Sequence, residues 1–201
     1  MSNRKRRSPQ ESRKAAIEAA RDLLLEEGPE GVTLKAVAAR VGQTHANILH
    51  HFGSAASLQA ALGAHISDMV CGMILRSTQA RLAGVGSVRE SIDLVFDAYA
   101  REGGSALFAW MALHGDKEGL KPMAEAIAKV SGAMSEDGKG SVARRQAAMV
   151  ANLLAFADAL VGESMAKELG LPRLRARDIA QSLFETVIAE EANELRPPEL
   201  Q

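Results

Sequence analysis

Apolar residues recur along the chain at three- and four-residue spacings, and glycine, proline and hydroxyl residues cut that pattern into short helices first and longer ones later. Ser8-Pro9-Gln10-Glu11 predicts a helix start with a capping box: Ser8 as N-cap, Pro9 at the first helical position and Glu11 reaching back. Ile17, Ala20 and Leu24 carry that helix to Gly28-Pro29, a stop signal. Thr33 is placed to cap a second helix, Leu34 to Val41, with Val37, Ala38 and Val41 turned inward and Gly42 ending it. Thr44 caps a third through His51, with Ile48 and Phe52 directed at the core. Ser54 opens a fourth whose apolar face runs through Leu58, Leu62, Ile66, Val70 and Ile74; ending near Gln79, it is roughly 37 Å long at about 1.5 Å per residue. Glycine-rich breaks follow at 84–87, 103–104, 115–119 and 132–140.

Two long segments close the pattern. From Ser141 to about Leu169, Val150, Leu153, Leu154, Ala157, Leu160 and Val161 share a face, beside small residues four apart, Ala147, Ala151, Ala155 and Ala159. From Arg175 to about Glu194, Ile179, Leu183, Phe184, Val187 and Ile188 form a second stripe. Two such helices can join the same pair on a twofold-related copy, through Ala147, Val150, Ala151, Leu154, Ala155, Ile179, Leu183 and Val187. Both stripes can equally face the chain's own core.

Composition supports an all-α chain. Of 201 residues, 47% are hydrophobic but only 3% aromatic, so alanine and aliphatic side chains must fill the core. The longest apolar run, Ala106 to Leu113, falls well short of the roughly 20 residues of a membrane span, and no membrane partner is expected. The basic start leads into Ser8-Pro9 instead of an apolar stretch, unlike a secretory leader. A single cysteine, Cys71, leaves no intrachain disulfide and no Cys-rich zinc site, which fits a reducing, cytoplasmic setting.

Net charge is −1, yet its distribution is uneven: residues 1–62 hold nine Lys or Arg against six Asp or Glu, and the balance reverses afterwards. A basic head suits a polyanion, although a solvated tail gives the same balance. Within that head, two short helices separated by a glycine turn make a helix-turn-helix pattern. Its second helix can enter a major groove about 12 Å wide. His45 and Asn47 are then candidates for base edges, while Thr33, Thr44, Leu49, His50 and Ser54 are placed near the backbone. Short helix pairs of this kind also occur as plain packing units.

The stretch Val32-Thr33-Leu34-Lys35-Ala36-Val37-Ala38-Ala39-Arg40-Val41-Gly42, with Ile48-Leu49-His50-His51-Phe52-Gly53-Ser54 and Leu58, resembles the DNA-binding head of the TetR family of bacterial transcriptional regulators over about residues 12–62. The resemblance implies an all-α homodimer with a three-helix head (1–54), a long connecting helix, and a bundle (55–201) that binds an effector and dimerises through its last two long helices. It implies a ligand-responsive regulator, most often a repressor released from a palindromic double-stranded DNA operator when a small molecule binds. Two positions depart from the family pattern. Leu49 stands where a tyrosine usually meets a phosphate, and Ala55 where a lysine does. The arm Arg4-Lys5-Arg6-Arg7 can supply replacement charge in a minor groove.

Other chemistries find little footing. The histidines lack ligand spacing, so no metal or cofactor is expected. Ser105, His114 and Asp116 lack the strand–turn–helix setting of a nucleophile, and no enzyme is predicted. Phe96, Tyr99, Phe108, Trp110, Met111 and His114 gather most of the aromatic groups mid-chain and are candidates for an apolar or aromatic effector, or plain core. The competing reading is a helical effector-binding or protein-interaction module whose DNA binding is weakened or lost through Leu49 and Ala55.

Overall fold

The computed structural model describes residues 8–116, 118–132 and 141–194, and every regular element among them is helical. In chain order these are α1 (Pro9–Glu27), α2 (Leu34–Val41), α3 (His45–Phe52), α4 (Ala55–Leu82), α5 (Val88–Ala100), α6 (Gly104–Leu113), α7 (Lys121–Gly132), α8 (Val142–Ala157), α9 (Glu163–Glu168) and α10 (Arg175–Glu194). Short 3₁₀ turns precede α2 and α7, and a π turn, Asp158–Gly162, joins α8 to α9. The chain divides into two compact units. One takes Met1–Ile66 with Glu102–Pro122, the other Ser67–Arg101 with Met123–Gln201.

In the first unit the predicted caps form. Ser8 Oγ accepts from Glu11 N while Glu11 reaches back to Ser8 N, closing the box on α1. Gly42 ends α2 at φ 67°, a left-handed conformation that only glycine adopts without strain, and its N–H meets the carbonyls of Ala38 and Ala39. Ala16, Ala20, Val32, Val37, Ile48, Leu58 and Leu62 have no exposed surface and make a core shared by the first four helices. Leu107, Phe108 and Met111 of α6 are buried in the same unit. Gly103, at φ 75°, lets the start of α6 lie against Leu24, which a Cβ would meet at 2.8 Å.

In the second unit α8, α10 and α5 pack on one another around Ile92, Phe96, Tyr99, Ala147, Ala151, Ala155, Ala180 and Val187. Small alanine side chains let α8 come close to its neighbours. Charges fasten the edges. Arg177 of α10 donates to Asp93 and Asp97 of α5 at 2.8 Å each, and Arg89 of α5 bonds Asp93 and Asp178. Burial pushes the Asp93 carboxyl up, but hydrogen bonds from Arg177 and Arg89 outweigh it and hold the group below its ordinary value. Arg144 and Ser141, at the start of α8, both bond Glu191 of α10.

The helix predicted from Ser141 runs through Val142–Glu168 with a π turn inside it. At the π turn the Asp158 carboxylate accepts two hydrogen bonds from Arg173 Nη1 (2.6 and 2.8 Å), and Arg173 Nη2 donates to the Asp158 carbonyl. A Cβ at Gly162 would sit 2.1 Å from that carboxylate, so glycine leaves room for the pair.

Counting consecutive apolar residues also understates two helices. Ala55–Leu82 and Val142–Glu168 reach mean hydropathies of 1.4 and 1.3 and are long enough to cross a membrane, a test that core helices of water-soluble proteins also pass.

Candidate nucleic-acid interface

Two side chains anchor α3 to the first unit. Ile48 has no exposed surface and Phe52 is buried, so the inner face is fixed by packing. Thr44 caps the start, its Oγ1 accepting from Asn47 N at 3.2 Å. At the other end Arg13 of α1 donates from Nη1 to the His51 carbonyl at 2.9 Å, and its guanidinium lies 4.5 Å from the centre of the Phe52 ring. Helix α3 is thus held at both ends and along one side.

Its opposite side is open. Thr44, His45, Ala46, Asn47, Leu49 and His50 are all exposed, as are Thr33 and Ser54 at the neighbouring helix starts. Every candidate DNA contact among the described residues therefore lies at the surface of one unit, and Arg4, Lys5, Arg6 and Arg7 fall outside the described residues. The capping hydroxyls of Thr33 and Thr44 accept from backbone amides through one lone pair, which leaves each O–H able to donate to a phosphate, whereas Ser54 Oγ accepts from Ser57 N and also shares a 2.9 Å hydrogen bond with Ser57 Oγ. Asn47 Nδ2 donates to Gln43 Oε1 at 2.8 Å, leaving Asn47 its carbonyl oxygen and a second N–H, the pair of groups that matches an adenine edge. Leu49, 41% exposed, offers only apolar surface.

Three positioning residues escape sequence reasoning. Arg13 and Gln43 act on α3 directly. Gln59 donates from Nε2 to the carbonyls of Pro29 and Val32, tying the start of α4 to the turn before α2. Only the i,i+4 spacing of Gln43 and Asn47 could have been read in advance. Arg40, close by on α2, is engaged by Glu26 through 2.8 and 2.6 Å bonds, which raise the arginine and lower the carboxyl from their ordinary values.

The six candidate effector residues do not share a unit. Phe96 and Tyr99 are buried in the second, where the Tyr99 hydroxyl donates to Asn152 Oδ1 at 3.1 Å and its ring meets Phe156 edge-on. Burial pushes the phenol up to about 12, so it stays neutral across the ordinary pH range. Phe108, Trp110, Met111 and His114 belong to the first unit, with the Trp110 and His114 rings stacked 3.9 Å apart. Among the described residues no three His, Cys, Asp or Glu side chains gather as a metal-binding group.

The eight candidate interface residues also separate. Ala147, Ala151, Ala155 and Val187 are buried inside their own unit, because close packing of α8 on α5 and α10 consumes the small-residue line. Leu154 and Leu183 are half-buried, and Val150 and Ile179 are exposed. The free apolar surface follows a different line: Met149, Leu153, Ala157, Val161, Met165 and Leu169, four residues apart and all exposed. In an α-helix such a line drifts about 40° round the axis per step. The wider π turn takes back part of that drift.

The model for bacterial regulatory proteins of the tetR family matches residues 16–62. No curated protein matches the chain. Among solved structures, a fatty acid degradation regulator, FadR, from Bacillus halodurans superposes with a TM-score of 0.52 at 14% identity, covering 89% of this chain and 96% of that one. A protein of Pseudomonas aeruginosa PAO1, assigned as a transcriptional regulator, gives a TM-score of 0.49 at 19% identity over 95% and 97% of the two chains.

Proposed function

We propose that this chain, whose residues 16–62 match the model for tetR-family regulatory proteins, is a transcription regulator: a homodimeric repressor that leaves a palindromic operator when a small molecule binds. The observation that carries the DNA half of this reading is α3: packed along one side, pinned at its far end by Arg13, and open along the side that bears His45, Asn47 and His50. Such a helix fits a major groove, with capping hydroxyls and helix starts toward the phosphates.

Self-association is supported by the exposed line from Met149 to Leu169, with Ile179 of α10 also exposed. Monomers seldom leave so long an apolar strip to water. A twofold pair presents two copies of α3 to successive major grooves, roughly 34–36 Å apart. The effector is an apolar or aromatic molecule, given that residues 103–114, which include Phe108, Trp110 and Met111, hold no Asp, Glu, Lys or Arg. It acts by favouring an arrangement of the pair that the operator does not accept, which requires different affinities in the two states.

Binding-site selection from random duplexes, followed by footprinting, tests the reading. A protected palindrome with two half-sites supports it. Failure to retain heparin or any duplex at low salt sinks it in favour of an interaction module, the outcome that Leu49 and Ala55 would explain.

A further inference from the structure

From Val41 to Ser67 the sequence holds no Asp, Glu, Lys or Arg, yet it holds four of the chain's five histidines: His45, His50, His51 and His65. That stretch contains all of α3, the turn before it and the start of α4. The recognition surface therefore carries no permanent side-chain charge of its own. Charge that this stretch itself brings to a polyanion comes from protons on imidazole, beside the permanent charges of Lys35 and of Arg4, Lys5, Arg6 and Arg7 elsewhere in the sequence. Histidine is the side chain whose ordinary charge change falls between about pH 5 and pH 8. We propose that DNA binding by this protein is proton-linked: His50 and, in place of the base-edge role read for it from the sequence, His45 meet phosphates as imidazolium, and the complex takes up protons as it forms. The proposal rests on the DNA-binding reading above.

Geometry supports it. His45 and His50 are exposed, and among the described residues no hydrogen bond or ion pair engages the imidazole nitrogens of His45, His50 or His51. Their ring nitrogens are open to an anion. The His50 and His51 ring centres lie 5.9 Å apart. Phosphate and proton then favour one another's binding reciprocally.

Most charged groups packed near α3 are already engaged, Lys35 excepted. On α1, Arg13 faces α3 and is taken up by the His51 carbonyl and the Phe52 ring. Glu11 closes the Ser8 cap, Lys14 lies by Glu18, Arg21 holds Glu102, and Asp22, Glu26 and Glu27 act on Arg40. On α2, Lys35 is exposed and Arg40 is held by Glu26. The first-unit part of α4 contributes His65 alone.

Filter binding of the full chain to a labelled mixed-sequence duplex, across a salt series at about pH 8 and about pH 6, tests the proposal. Affinity at fixed low salt should rise roughly tenfold or more on acidification, and the salt slope should steepen by about 0.9 for each histidine that meets a phosphate. His45→Gln with His50→Gln, both at exposed positions, should flatten both responses while leaving the circular dichroism spectrum unchanged. Replacing the same pair by arginine should give the steep slope at both pH values. Equal tightening of the wild type and the glutamine variant on acidification overturns the proposal while leaving DNA binding intact. Absence of binding at either pH overturns both.

Discussion

Arg13 makes two contacts with the far end of α3, and both vanish in Arg13→Ala. One is a hydrogen bond to a helix-terminal carbonyl, the other a cation over an aromatic face. Together they are worth about 1 kcal/mol at an exposed site. The variant should lose that much in urea unfolding followed by circular dichroism, and should bind duplex less tightly because the recognition helix frays at its C-terminus. Asn47 differs in kind. Asn47→Ala should cost roughly 1–3 kcal/mol at one operator position and almost nothing on mixed-sequence DNA, as measured by competition with single-base operator variants. A uniform loss across all sequences would make Asn47 a phosphate contact instead.

Among the elements, the ends of the early helices were legible because their signals are local. Ser8 with Glu11, Thr33 and Thr44 each cap the helix that follows them, and these contacts span three residues. The π turn was not legible. A 3.6-residue period runs through Ser141 to Leu169 without a break in pattern, and the partner that Asp158 finds at the turn is Arg173, fifteen residues beyond it. The alanine line was visible in the sequence, but nothing in a periodicity says which neighbour covers it, and here that neighbour is the unit's own α5 and α10. Arg13 was invisible for the same reason, since its partner lies 38 residues away.

Two predictions belong to this scale. Gly162→Ala drives a methyl into a carboxylate that Arg173 holds fast, and should destabilise the second unit by about 1–3 kcal/mol in thermal unfolding. The α5–α10 clasp should respond to acid. Because Asp93 is held below its ordinary value, its contribution is full above the unfolded carboxylate value of about 4 and is lost as pH falls below it. Asp93→Asn should shrink the fall in melting temperature between about pH 5 and pH 2.5. An unchanged fall would place the acid sensitivity elsewhere.

For the whole molecule, the exposed line from Met149 to Leu169 has a consequence for assembly state. Leu153, 61% exposed, lies within that line, so Leu153→Asp leaves the core untouched while placing charge in the strip. Light scattering should show the wild type as a pair and the variant as a single chain with the same helical content. If both scatter as single chains, the strip serves another partner. Melting of the wild type, but not of the variant, should also depend on protein concentration. The two compact units carry one further convenience. The chain has a single tryptophan and a single tyrosine; Trp110 belongs to the first unit and Tyr99 to the second. Emission from the indole and absorbance of the phenol thus give separate optical reports on the two halves, and any lag between those signals on heating reveals whether they unfold as one cooperative body or two.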